Sequence, residues 1–272
     1  MARLTPREVG FASGAALLFF LFAFAAERWL GALATSAIAA GLVLVLVSAA
    51  IVLYRHIEDR AEEERAQVEA IVALYHALGP SLPLPPLRGY ALAPDSALLL
   101  YSLVRRCAPK LVLEIGSGTS SLIIGYALRA EGQGRLVSLE LDRDYAERTR
   151  QEIARHGLGE RVTVLHAPLE ELTLEDEKMR WHDPRALDGI EAIDLVFDDG
   201  PPKRLGPNLR TAALPLLWPR LAPGATYCLN FIAGEERKNV ARWLARHPEL
   251  EAETVRTKKG NVILRRRVPS QP

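Results

Sequence analysis

The sequence predicts an α/β protein: a mostly parallel sheet with helices on both faces, preceded by a transmembrane helical hairpin. Three observations predict it. Two long charge-free apolar runs open the chain. Strand and helix signals alternate from residue 111 onward. The loops that follow the strands carry glycines or acids, where such a sheet binds its ligands.

The whole-chain averages bound the answer. At 272 residues, the length allows one catalytic domain plus an appendage. Charged residues at 25% and hydrophobic residues at 49% describe a globular chain rather than a disordered one. A net charge of +1 argues against a general nucleic-acid binder. Two cysteines, Cys107 and Cys228, exclude a disulfide framework or a Cys-rich zinc site, and read as buried thiols of a reducing compartment.

The apolar material is concentrated at the N-terminus. Val9 to Ala26 carries no charge, Glu27 and Arg28 follow, and Trp29 to Tyr54 is again uncharged. A membrane-spanning helix needs about 20 apolar residues. Each run therefore reads as a span, and the Glu27-Arg28 break as the turn of a hairpin. A cleaved signal peptide is the rival reading of the first run: Arg3 and Arg7 precede it, and Ala23-Phe24-Ala25 has the form of a cleavage site. Neither run shows the polar stripe of a buried soluble hairpin. Arg3 and Arg7 flank one end and Arg55, Arg60 and Arg65 the other, which places both termini and the large C-terminal part in the cytoplasm. Gly10, Gly14, Ala37 and Gly41 supply small residues at four-residue spacing. They suit packing of the two helices on each other, or of two copies in a homodimer.

His56 to Leu78 reads as a helical stalk, with Ile57, Val68, Ile71, Val72, Tyr75 and Leu78 on one face. The stretch GPSLPLPP, Gly79 to Pro86, stops it and marks a boundary, as a spacer or as a lid over the site. The expected organisation is a membrane anchor over 1–55, a stalk and Pro-rich linker over 56–93, and a globular domain over 94–272. A helix capped by Asp95 or Ser96 opens that domain. Strands are expected at Leu111–Ile115, Arg135–Glu140, Arg161–His166, Ile193–Asp198 and Ala225–Phe231. Two final strands follow near Ala252–Thr257 and Asn261–Arg267. Helices are expected at Thr119–Glu131, from Asp142 to near Gly157, at Leu205–Leu221 and at Glu235–His247.

Three loops carry the chemistry. Glu114-Ile115-Gly116-Ser117-Gly118-Thr119-Ser120 turns sharply into a helix, and its two glycines admit a close ligand. It is not the dinucleotide fingerprint, because Ser121 stands where the third glycine would be, and no G-K-[ST] of a P-loop follows. Glu140 ends the second strand about 20–25 residues after Gly116, the place of a carboxylate that accepts both hydroxyls of a ribose. Asp198-Asp199-Gly200-Pro201-Pro202 ends the fourth strand with two acids. Lys203 and Arg204 then offer either an anion site or solvated loop charges. His166 reads as packing near its strand end. His182, in the Trp181-His182-Asp183-Pro184 insertion, reads as a surface-loop residue.

Together these segments resemble the class I S-adenosylmethionine-dependent methyltransferases, over Pro94 to Arg267. LVLEIGSGTSS, VSLELD, VTVLHAPLEEL, IDLVFDDGPP, LAPGATYCLNF and GNVILRR resemble that family's motifs in order and spacing. The resemblance implies a Rossmann-like seven-stranded sheet over 94–272 and S-adenosylmethionine as cofactor. It puts Glu114, Gly116, Ser117, Gly118, Thr119 and Ser120 around the methionine part. Glu140 takes the ribose, and Ala167 and Pro168 lie near the adenine. Asp199 is the implied catalytic acid position, with Asp198 as its alternative. The pattern is most similar to the catechol-type O-methyltransferases, many of which hold a divalent metal with the fourth-motif acid and a later Asp-Asn pair. Here that pair reads Asn230-Phe231, so no metal is expected. The D/N-P-P-Y/F signature of base methylation is interrupted by Gly200, so no nucleic-acid partner is expected. The implied activity is methyl transfer, at oxygen or nitrogen, to a small-molecule, lipid or protein acceptor by an enzyme tethered to the membrane. The alternatives are an aminopropyltransferase and a non-catalytic membrane scaffold that has kept a nucleoside-binding fold.

Overall fold

The computed structural model describes residues 6–87, 89, 91–174, 177–206, 209–230 and 234–267. Arg3 and Phe231 lie outside the described residues, as does the side chain of Arg7. The chain divides into two compact units, residues 1–63 and 64–272.

The long helix α1 (Pro6–Leu78) is interrupted at Gly31, whose φ of 78° and ψ of 165° are not helical. The break therefore falls three residues beyond the expected Glu27-Arg28 turn. Glu and Arg are good helix formers and do not stop a helix by charge. The backbone conformation at the break is one that glycine adopts without a side-chain penalty. From Ser36 the helix runs unbroken to Leu78, and it is long and apolar enough to cross a membrane. Leu44, Val45, Leu46, Ile51 and Val52 on it are exposed.

The second unit begins inside α1. Ala70, Leu74 and Leu78 are buried at helical spacing. Leu74 and Leu78 pack in one core with Leu84, Leu92 and the apolar face of α2 (Pro94–Cys107). Neither Asp95 nor Ser96 caps α2; the N-cap is Ala93, with Pro94 at the first position, where a missing N–H costs nothing. The Asp95 carboxylate instead accepts from Gln67 Nε2 at 2.9 Å and from the Lys258 N–H at 2.6 Å.

From there the chain runs β1 (Leu111–Ile115), α3 (Thr119–Glu131), β2 (Arg135–Glu140), α4 (Arg143–Arg155), β3 (Val162–His166), β4 (Leu169–Leu174), β5 (Glu177–His182) and β6 (Ile193–Asp198). It continues with α5 (Ala213–Leu217), β7 (Leu221–Asn230), α6 (Gly234–Arg246), β8 (Leu250–Val255) and β9 (Asn261–Arg266). Seven strands form one sheet in the order β3-β2-β1-β6-β7-β9-β8. The first five are parallel; β9 runs antiparallel to β7, and β8 to β9. This mixed sheet with flanking helices is the Rossmann-like arrangement of the methyltransferase fold. The central β1 is buried along its whole length, as LVLEI requires of a strand covered on both faces. Alternation sorts it: Val112 joins the core under α2, α3 and α4, while Leu111, Leu113 and Ile115 join the opposite core with Trp181, Leu214 and Trp243.

Three local features depart from the expected elements. The helix expected over Leu205–Leu221 shrinks to α5 flanked by short turns, because Gly206 (φ 144°) and Pro219 interrupt it, and β7 starts earlier, at Leu221. A separate antiparallel hairpin, β4–β5, occupies a stretch for which no element was expected, with Leu172 opposite Met179 and Glu170 opposite Trp181. Cys107 is exposed rather than buried; Cys228 is buried, and both are free thiols.

Candidate active site at the strand reversal

Sheet order reverses between β1 and β6. The chain moves outward through β2 and β3, then returns to the other side of β1. Parallel strands put their C-terminal ends at one edge, so Gly116, Glu140, Ala167 and Asp199 emerge together at the crevice where ligands bind in open α/β sheets. Backbone bonds lock these ends: Gly116 N–H to Leu139 O at 2.9 Å, Ala167 N–H to Glu140 O at 2.7 Å and Asp199 N–H to Ile115 O at 3.0 Å.

Gly116 has φ of 92°, and a Cβ there would sit 3.3 Å from the Asp199 carbonyl oxygen. The first-loop backbone thus lies against the fourth-motif backbone, and a side chain there would be both crowded and strained at this φ. Gly118 has φ of 149°, and its Cβ position is 3.2 Å from the Tyr145 hydroxyl. Between the two glycines, Ser117 is pinned by Glu140. Oε2 of Glu140 accepts from both the Ser117 N–H and its hydroxyl, each at 3.0 Å, and Oε1 accepts from the Asp142 N–H at 3.0 Å. A carboxylate offers about four acceptor positions. Glu140 thereby fixes the loop and keeps acceptor capacity at the crevice.

Glu114 lies beneath the loop, fully buried. Ser121 Oγ donates to its Oε2 and also accepts from the Gly118 N–H at 3.1 Å, so the residue replacing a third glycine ties the loop to the strand. Among the described residues, Glu114 Oε1 has no hydrogen-bond partner. Burial, opposed by nearby serine hydroxyls, pushes the Glu114 carboxyl up to about 7.

The two acids at the end of β6 have different surroundings. Asp198 is fully buried and accepts from the Tyr227 hydroxyl at 2.5 Å. It is a buried group of the core, where the resemblance would have it as the alternative catalytic acid. Burial raises its carboxyl to about 6, against the pull of Arg210 and the Tyr227 hydrogen bond. Asp199 stays partly accessible. Its Oδ1 accepts from Asn230 Nδ2 at 2.8 Å, and Arg210 Nη2 lies 4.0 Å away. Burial pushes Asp199 above the ordinary carboxylate range, while Arg210, Asn230 and Lys259 pull it down. Behind it, Asn230 Oδ1 accepts from Asn261 Nδ2 at 3.1 Å. Asn261 Oδ1 in turn accepts from Ser96 Oγ at 3.0 Å and Thr257 Oγ1 at 2.6 Å.

Asp199 opens onto a cavity of about 380 Å³, lined also by Gly89, Pro202, Lys203, Arg204, Arg210 and Lys259. Arg210 is held by the carbonyls of Asn230 at 2.8 Å and Pro201 at 3.4 Å. Lys259 Nζ is held by those of Gly89 at 3.0 Å and Ala91 at 2.6 Å. Lys203 pairs with the buried Glu236 at 2.6 Å. Among the described residues there is no cluster of three or more His, Cys, Asp or Glu of the kind that holds a metal.

Residues 113–230, from β1 to the end of β7, match a family model described as a methyltransferase domain. This segment is similar to a methyltransferase domain. Solved structures show the same fold. An O-methyltransferase from Bacillus cereus, in complex with S-adenosylhomocysteine, is 20% identical with a TM-score of 0.52, over 74% of this chain and 91% of that one. An S-adenosylhomocysteine-bound methyltransferase from Podospora anserina is 16% identical with a TM-score of 0.54, over 77% of this chain and 96% of that one.

Within this segment, Gly116 to Ser120, Glu140, Ala167 and Asp199 converge on one edge, whereas Asp198 is buried in the core. His182 is not a surface residue. It is buried, its Nδ1 lies 2.7 Å from the Ala167 carbonyl, and burial pushes its ring down to about 4. It anchors the Ala167 backbone from behind. His166 is exposed. Sequence reasoning missed Tyr145, Arg210 and Lys259, whose types and spacing carry no motif; Tyr145 follows Glu140 on the first turn of α4 and could have been found from that position.

Proposed function

We propose that this chain is a membrane-tethered methyltransferase that moves the methyl group of S-adenosylmethionine to an oxygen or nitrogen of a small-molecule or lipid acceptor. The observation that carries the reading is the Glu140 carboxylate, which binds both polar hydrogens of Ser117 and thereby joins the end of β2, where a ribose would sit, to the glycine loop. The residues fit the cofactor: Gly116 and Gly118 leave a side-chain-free cradle that a Cβ would fill, and a carboxylate stands at the end of β2. Glu114, Gly116, Ser117, Gly118, Thr119 and Ser120 would hold the methionine part, Glu140 the ribose, and Ala167 and Pro168 the adenine side. Bound there, the cofactor supplies a methyl group already activated on sulfur. The protein's task is alignment and proton management. Asp199, at the mouth of the cavity, accepts the acceptor's proton. Asn230 and Arg210 fix the orientation of its carboxylate.

The apolar helix and the uncharged run before it support a two-span anchor with the catalytic domain on the cytoplasmic side, as the flanking arginines indicate. Tethering confines the enzyme to the membrane surface and raises its effective concentration toward acceptors there. The deciding experiment is calorimetric titration of the full chain in neutral detergent with S-adenosylmethionine, S-adenosylhomocysteine and NAD. Selective binding of the first two, weakened on the order of 100-fold in Glu140→Ala, is expected, because two hydrogen bonds to a charged acceptor are lost. A folded chain that binds neither refutes the reading.

A further inference from the structure

The cavity beside Asp199 has a charge pattern that the methyl-transfer chemistry does not require. Among the described residues, its lining brings Lys203, Arg204, Arg210 and Lys259 around the Asp199 carboxylate. They come from separate parts of the fold: the turn after β6, the segment before α5, and the turn between β8 and β9. Lys203 is met by Glu236, and Arg210 shares Asp199. Lys259 differs. Its ammonium is held by two neutral carbonyls, which orient the charge, and it acts on Asp199 from a distance without a direct ion pair. Holding a rotamer-rich lysine in this way removes much of the entropy cost of using it on a ligand. A volume of about 380 Å³ admits a small molecule or a lipid headgroup rather than a folded chain.

We propose, resting on the methyltransferase reading above, that the acceptor carries an anionic group, a phosphate or carboxylate, which Lys259 and Arg204 bind at the cavity mouth while Arg210 and Lys203 complete the positive wall. Charge complementarity of this kind steers a ligand and rejects those of like charge. A polyamine acceptor is therefore disfavoured here. The shared chemistry is the anion; its source is either a soluble metabolite or the headgroup of an acidic lipid.

The test is titration of the full chain, saturated with S-adenosylhomocysteine in neutral detergent, with three probes at matched ionic strength: pyrophosphate, dihexanoyl phosphatidic acid, and dihexanoyl phosphatidylcholine as the zwitterionic control. At least one of the two anions binds while the control does not. That affinity falls about tenfold or more in Lys259→Gln and in Arg204→Gln, and returns in Lys259→Arg. Binding of the lipid alone assigns a headgroup, and binding of pyrophosphate alone assigns a soluble phosphate; either supports the proposal. Absence of binding by both anions, or affinities unchanged in the variants, overturns it. So does a parallel loss of S-adenosylhomocysteine affinity in Lys259→Gln that Lys259→Arg restores, because the charges would then serve the cofactor. If the wild-type chain fails to bind S-adenosylhomocysteine at all, the cofactor reading fails, and the anion titration without it is scored separately.

Discussion

Replacing Glu114 with glutamine should flatten the pH dependence of stability across a defined window. In the unfolded chain this carboxyl ionises near its ordinary value of 4.5; in the fold, burial raises it to about 7. Between those values the folded state keeps a proton that the unfolded state has released. The stabilisation is fully present below pH 4.5 and is lost as pH rises through 7. At about 1.4 kcal/mol per pH unit, the wild type loses about 3 kcal/mol across the window on account of this group. Glutamine carries no charge at any pH, nearly matches the shape, and keeps an oxygen to accept from Ser121. The variant should therefore match the wild type at pH 4.5 and exceed it by an amount approaching 3 kcal/mol at pH 8. Denaturant titration of the full chain in detergent, followed by tryptophan fluorescence, reads the difference, because Trp181 and Trp243 are buried in the globular unit. A wild-type-minus-variant difference that does not change between pH 4.5 and 8 would show that Glu114 ionises normally and would refute the burial argument.

Three further outcomes are expected. Gly134→Ala should destabilise by more than about 2 kcal/mol in the same denaturation assay, because its φ is 81° and a Cβ would lie 2.2 Å from the Pro109 carbonyl oxygen. Tyr227→Phe removes the hydroxyl donor to buried Asp198 and should cost about 1–3 kcal/mol at pH 8. That cost should shrink below pH 6, where the carboxyl, raised to about 6, is protonated. His182 has a ring pushed down from 6.5 to about 4, so the unfolded chain gains a proton first and the wild type loses stability as pH falls through that window. His182→Asn, which retains a donor for the Ala167 carbonyl, should not show that loss when denaturation at pH 7 and pH 5 is compared.

The parts of the fold legible in the sequence are those written in local patterns. β1 reads as a buried strand because LVLEI is nearly all apolar, and Gly116-Ser117-Gly118 reads as a loop because only glycine accepts those backbone angles near another chain segment. The β4–β5 hairpin was hidden because its apolar positions are diluted by charges, and only the cross-strand pairing of Leu172 with Met179 makes them one face. Asp198 and Asp199 look alike in sequence. They part because strand alternation sends one toward Tyr227 and the other toward the crevice. His182 reads as a loop residue until the fold closes over it. Lys259 carries no signal at all: its partners Gly89 and Ala91 are about 170 residues away in the chain, and only the completed fold brings them together.

The hydrogen-bonded array behind Asp199 also has a direction. Ser96 and Thr257 give hydrogens to Asn261, Asn261 gives to Asn230, and Asn230 gives to Asp199. Every donor points the same way, with the positive ends of the dipoles toward the carboxylate. Neither amide can be turned over alone, so positions 230 and 261 must change together or not at all in descendants that keep this arrangement. Asn230→Asp is the instructive exception. It would end the relay at its last step and set a second carboxylate against the first, an arrangement that a hard divalent cation bridges. Position 231 would still carry Phe where the metal-holding pattern has an oxygen ligand, so a site managed by amide dipoles and one managed by a metal ion lie at least two substitutions apart.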